Sequence, residues 1–395
     1  MRSSYSIAVV LFLIAALHQG QPAPAANVLW TSSTDGLYQT PSNWSSSPLL
    51  PSFADDVSID QPGALTVTLS SGSQSIRQLT SEENLVISSA AELLVGAGGG
   101  TIDGALTITN GRLTSQAGGT LTVNGAVNST VVGLRALSGG TLNLPTLAMI
   151  NAPSSPVARY DAQGALSKLD LSAVTNFSGG DSTSPTTVAA FNGGRVELEN
   201  VSALTSGATL VVSDGPDSVV DLSALTHITS DNQFIRARLD AINGGTVLTP
   251  NLATIGRATV EVRGAASSLN LQALTNADGA SFTARVGGQI APPLLTSYAA
   301  GLGFTEFFAN GTNSLIDLSE LTTFSGATFS SMVISANDGA TIDLSGVTSI
   351  SSGAINLVAG VGGLIDLSSL QSYTATNMLQ TRRFRAEKLS GYCRW

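Results

Sequence analysis

The chain has 395 residues, of which 43% are hydrophobic and only 11% charged, with a formal net charge of −10 and one cysteine. That balance excludes a nucleic-acid partner, because no basic stripe exists to neutralise phosphates. A single cysteine excludes an intrachain disulfide framework, so stability must come from core burial, which this length can supply.

Met1-Arg2 and the apolar run Ile7 to Leu17 precede Ala23-Pro24-Ala25, a small-x-small cleavage site. Residues 1–26 are therefore expected to be a secretory signal peptide. No later stretch is long and apolar enough to cross a bilayer as a helix, so the mature chain is expected to be secreted or held at the cell surface without a transmembrane span.

Residues 27–90 differ in composition from the remainder of the chain and hold Trp30 and Trp44, two of the three tryptophans. The series Trp30, Gly36-Leu37-Tyr38, Asn43-Trp44, Pro51 and Asp55-Asp56-Val57-Ser58-Ile59 resembles the opening segment of exported bacterial β-helix proteins of the autotransporter-associated-repeat and surface-adhesin kind. The resemblance covers about thirty residues and departs at Tyr38, where tryptophan is more usual. It implies an N-terminal cap over the open end of a β-helical core, and exposed strand edges require such cover on physical grounds alone. The alternative is a carbohydrate-binding surface made by Trp30, Tyr38 and Trp44.

Gly99-Gly100-Thr101, Gly118-Gly119-Thr120 and Gly139-Gly140-Thr141 then recur at steps of 19 and 21 residues, which predicts short rungs. From Leu142 a stronger repeat takes over, with ten copies at intervals of 21 to 27 residues, starting at Leu142, Leu169, Val196, Val220, Val247, Leu269, Ile290, Ile316, Ile342 and Ile365. With that residue as position 0, position +2 is Leu in eight copies, position +5 is Leu or Val in all ten, and position +8 is apolar throughout. Positions 0 and +2 alternate as in a strand with one buried face. The jump to +5 breaks the alternation and predicts a corner at +3 and +4. One unit cannot bury its apolar face, whereas stacked units share a continuous core.

The segment Leu-Asp-Leu-Ser-x-Leu also resembles a leucine-rich repeat. That family wants Asn or Cys where this chain has Leu or Val at +5, and no helical spacing fills the rest of the repeat. Abundant Ser, Thr, Val and Gly favour tight turns between β-branched strands. The predicted fold is all-β, a right-handed single-stranded parallel β-helix with an N-terminal cap, and a leucine-rich-repeat-like solenoid is the alternative. The array is expected over 91–375. Copies preceded by Gly-Gly-X alternate with copies preceded by Ser- or Lys-containing steps up to Ile316, so the repeat has a double unit of roughly fifty residues. A basic tail, 376–395, carries five of the 17 basic residues.

Catalytic candidates are few. His18 leaves with the signal peptide and His227 stands alone, so His-based triads, zinc sites and Cys-His nucleophiles lack parts. Position +1 reads Asp170, Glu197, Asp221, then, three copies later, Asp317, Asp343, Asp366, two runs of three acids on consecutive rungs. An outward position between two inward leucines is the simpler reading. The sharper one is a ladder in which Asp317, Asp343 and Asp366 bind Ca²⁺ through oxygen ligands. No other cofactor and no catalytic residue is expected. The chain reads as a structural or adhesin-like protein acting through its lateral surface on extracellular carbohydrate or surface proteins. The alternative is a carbohydrate-active β-helix protein, which would require acids and a base converging in one groove.

Overall fold

The computed structural model describes residues 25–153, 155, 157–180, 185–230, 235–328, 332–374, 383–386 and 392–394. The chain is a parallel β-solenoid of about 13 turns. Its only helical element among the described residues is the 3₁₀ turn Pro41–Asn43. That removes the leucine-rich-repeat alternative, which needs a second, non-strand side to each coil.

Each coil of the main array has three faces. The coil beginning at Arg159 is representative: Arg159–Gln163 lies on face A, Lys168–Asp170 on face B and Asn176–Ser178 on face C. Each face pairs in parallel with the same face of neighbouring coils, continuously on face A and in separate ladders on faces B and C. On face B the position 0 residues stand in one file, Leu142, Leu169, Val196, Val220, Val247 and Leu269, and again Ile290, Ile316, Ile342 and Ile365. Nine of the ten are buried and Leu269 is partly so. Leu171, Leu222 and Leu318 at position +2 are at most 1% exposed and share that interior.

The expected corner is present in all ten coils. The N–H of +5 donates to the C=O of +2, as from Val174 to Leu171 at 2.9 Å, closing a four-residue turn over +3 and +4. Both ends of that turn point inward, so the spacing 0, +2, +5 is one strand residue, a turn and its closure. Position +8 then starts the file of face C, where Tyr298, Phe324, Ile350 and Tyr373 are in register.

Face A carries the longest strands, such as Thr186–Phe191 and Ala237–Ile242, and its place in the coil is something the repeat pattern does not disclose. The double unit has a physical cause at the corner between faces A and B. In one kind of coil the corner is Phe191-Asn192-Gly193-Gly194, with φ of 51° at Asn192 and 85° at Gly193. Gly194 is required because a Cβ there would lie 2.3 Å from the Ala162 carbonyl oxygen of the coil below. In the alternate coil the Ser218 hydroxyl donates to the Asp214 carbonyl and accepts the Gly193 N–H at 3.0 Å. Ser167, Ser267 and Ser314 do the same for Gly139, Gly244 and Gly287. A Gly-Gly coil and the following Ser coil are therefore stitched as a pair.

At the N-terminal end Trp30, Tyr38 and Trp44 are each 1% exposed and meet edge to face, with centroids 4.9 and 4.7 Å apart. The segment returning through Trp44 bridges antiparallel to Trp30, covering the outer edge of the first strand. The three rings are core, so the alternative of a carbohydrate surface at this place is withdrawn. The early glycine motif is displaced from its own alignment: Thr101 pairs with Thr122, not Thr120, while Thr120 does pair with Thr141. Within the basic tail, Arg383–Ala386 and Tyr392–Arg394 continue the face A and face B ladders, placing Cys393 beside Ile365. Of the expected signal peptide, residues 1–24 lie outside the described residues.

Candidate functional site

The two acid runs of face B differ in chemistry. In the first, Lys168 lies 3.0 Å from Asp170 and 3.6 Å from Glu197, while Arg195 bonds Glu197 at 2.5 Å and Asp221 at 2.8 Å. Burial pushes the Lys168 ammonium down, but bonds and charge from Asp170 and Glu197 outweigh it and hold the pKa above its ordinary value. Asp170 is conversely held low: burial opposes ionisation, and the Ser172 bonds and Lys168 overcome it.

The second run makes no ion pair among the described residues. Asp317, Asp343 and Asp366 stand in register, and each Oδ1 accepts the backbone N–H two residues on, at Ser319 (3.1 Å), Ser345 (2.9 Å) and Ser368 (2.9 Å). Asp170 and Asp221 bond Ser172 and Ser223 in the same way. Asn270, at the same position and uncharged, accepts from the Gln272 N–H at 3.0 Å. The position therefore calls for a side-chain oxygen that satisfies the corner backbone, as in an Asx turn. Among the described residues no three His, Cys, Asp or Glu side chains are grouped so as to hold a metal ion, the expected Ca²⁺ ladder included.

Face A holds the arrangement that sequence reasoning missed. Its central outward file is recessed at several rungs: Asp161 and Ala189 are fully buried and Asp240 is 6% exposed, although each points away from the core. Val212, Glu261 and Phe308 in the same file are half-buried. Longer side chains in the flanking files wall this trough. Asp161 accepts from Arg135 at 3.0 Å and from Arg159 at 2.9 Å, and Arg159 also lies 5.5 Å above the Phe191 ring. Three coils further on, Arg238 Nη2 reaches both Asp240 (2.8 Å) and Glu261 (3.2 Å), which are register partners. Burial pushes Asp240 up to about 6, and neighbouring Glu261 adds to this against the opposing pull of Arg238. Glu306, on the same face, is likewise raised by burial. Asp240 and Glu261 are 21 residues apart and lie outside the 0, +2, +5 pattern, so only the alternation within each face A strand hinted at them.

Face C is nearly free of charge. In the stretch from Ser297 to Thr374 its outward positions are Ser, Thr and Ala, and Ser325 meets Ser351 at 3.1 Å. His227 is exposed there, 3.2 Å from the Thr226 hydroxyl, far from any partner set for nucleophilic catalysis. At the corner between faces C and A a cavity of about 340 Å³ is lined by Arg236, Arg257, Asp278 and Leu302 among others. Arg236 closes it by donating to the carbonyls of Gly279 (2.6 Å) and Phe304.

No described helix is long and apolar enough to cross a membrane. No family model matches the chain, and no curated protein or solved structure matches it either.

Proposed function

We propose that the protein is a secreted or cell-surface β-helical scaffold, adhesin-like and without catalytic activity, that acts through its lateral surface. The carrying observation is that polar side chains join one rung to the next. Lys168–Glu197, Arg195–Asp221, Arg135–Asp161 and Arg238–Glu261 all bridge coils, and the corner Asp and Ser oxygens are engaged with backbone. Such groups make a stiff rod. Export is supported by the basic start, apolar run and cleavage site of residues 1–26, and by the aromatic array that resembles surface β-helix proteins. A glycan array together with a reducing-sugar release assay tests the reading: binding without release is the expected result, and release from any polysaccharide overturns it.

One observation favours a carbohydrate-active alternative. Asp240, raised to about 6 and sharing Arg238 Nη2 with Glu261, sets a protonatable carboxyl beside an acid on the adjacent rung. A general acid and a second carboxylate in one trough are what glycoside hydrolysis uses. In that case Asp240→Asn abolishes sugar release that the wild-type protein shows.

A further inference from the structure

Positive charge is segregated on this acidic chain. Ten Lys and Arg side chains fall within residues 91–374; six of them stand on face A strands and none on face C. Within the trough, Arg135, Arg159 and Arg238 are matched to floor carboxylates. Arg263 and Arg285 are not, although Arg285 lies close enough to Glu306 for its charge to offset part of the rise that burial imposes on that carboxyl. They are exposed Cα partners on adjacent rungs of one flanking file, next to Ile242 and Asn310, and neither makes an ion pair among the described residues.

Their Cα atoms stand about one rung spacing apart, roughly 4.8 Å, so the two side chains share one stretch of surface and their like charges repel. Like charges directly opposite in a sheet are destabilising, and guanidinium does not discharge at any physiological pH. An oxyanion between them converts that repulsion into charge-assisted hydrogen bonds. Arg285 is also oriented, with its guanidinium carbon 4.8 Å over the Phe308 ring. Stacking uses the flat face of the group and leaves its N–H edge for a ligand.

We propose that Arg263 and Arg285 form a clamp for the carboxylates of an acidic polysaccharide lying along face A. The trough runs along the solenoid axis, as an extended polymer requires. Its floor file near the clamp runs Glu261, Thr283, Phe308 and Ser335, of which the two small hydroxyl residues suit sugar hydroxyls. The net charge of −10 does not forbid this, because at physiological salt a Debye length of about 8 Å screens the acids of face B from a chain on face A, while Glu261 and Glu306 on face A itself oppose the clamp. The clamp rests on the proposal that the protein acts through its lateral surface.

The test is calorimetric titration of the mature protein with polygalacturonate at physiological salt, beside neutral dextran and dextran sulfate. The wild-type protein is expected to bind polygalacturonate saturably and dextran not at all. Arg263→Gln with Arg285→Gln is expected to weaken binding by at least about tenfold through the loss of charge-assisted hydrogen bonds, while the melting temperature does not fall. Equal affinity of the double variant, absence of saturable binding, or tighter binding of dextran sulfate overturns the clamp as a carboxylate site. New reducing ends during the titration overturn the non-catalytic reading and leave the clamp standing.

Discussion

At the residue scale, the recurrent Asp-Leu-Ser tells two stories with one side chain. The leucine enters the core, and the aspartate before it reaches forward to the N–H of the serine after it. Asn270 shows that this service needs oxygen and not charge. Asp343→Asn is therefore expected to unfold at the wild-type denaturant midpoint, whereas Asp343→Ala loses about 1 kcal/mol, the usual worth of such a bond. Calcium gives the complementary measurement: a calcium-dependent rise in melting temperature that Asp343→Asn abolishes would restore the ladder as a cation site. At the other corner, Ser218→Ala leaves the Gly193 N–H without its side-chain partner and is expected to cost about 1–3 kcal/mol in chemical denaturation.

At the element scale, the face A strands store electrostatic strain. Asp240 is held against solvent by its flanking files, and its folded-state pKa of about 6 exceeds its ordinary value of 3.8. The folded state thus binds a proton that the unfolded chain has released between those limits, and stability falls as pH rises through this window. Above about 6 the loss is complete, and below the ordinary value it is absent. Asp240→Asn is expected to be more stable than wild type at pH 7 by up to about 3 kcal/mol, with the gain fading as pH falls towards about 4. Denaturant midpoints across that range provide the check. Asp161 is fully buried between Arg135 and Arg159, and its removal leaves both guanidinium groups without their shared partner, so Asp161→Ala is expected to lose about 3 kcal/mol.

At the scale of the whole molecule, stability is nearly a sum over coils and their interfaces. Phe191-Asn192-Gly193 and Ile242-Asn243-Gly244 are equivalent corners with matching positive φ at Asn192 and Asn243. Excising residues 192–242 joins Phe191 to Asn243 and keeps every face in register. The shortened protein is expected to fold cooperatively and to be about 10 Å shorter by small-angle scattering, two rungs at about 4.8 Å each. Excising only residues 192–202, about half of one coil, joins face A directly to the face C strand Ala203–Leu204 and is expected to leave the chain unfolded by circular dichroism.

The residues at 0, +2, +5 and +8 determined the coil, its corner and its inward faces, because their spacing reflects contacts made within a dozen residues of chain. The alternation of Gly-Gly and Ser corners was equally visible, although its meaning lay in a hydrogen bond between coils. What only the tertiary structure decided was everything set by stacking. Asp240 and Glu261, or Arg263 and Arg285, become neighbours because parallel registration brings together residues some twenty positions apart, and coils of unequal length hide that registration from any fixed period. Burial of an outward carboxylate depends on which side chains flank it on three rungs at once. No local pattern carries that information.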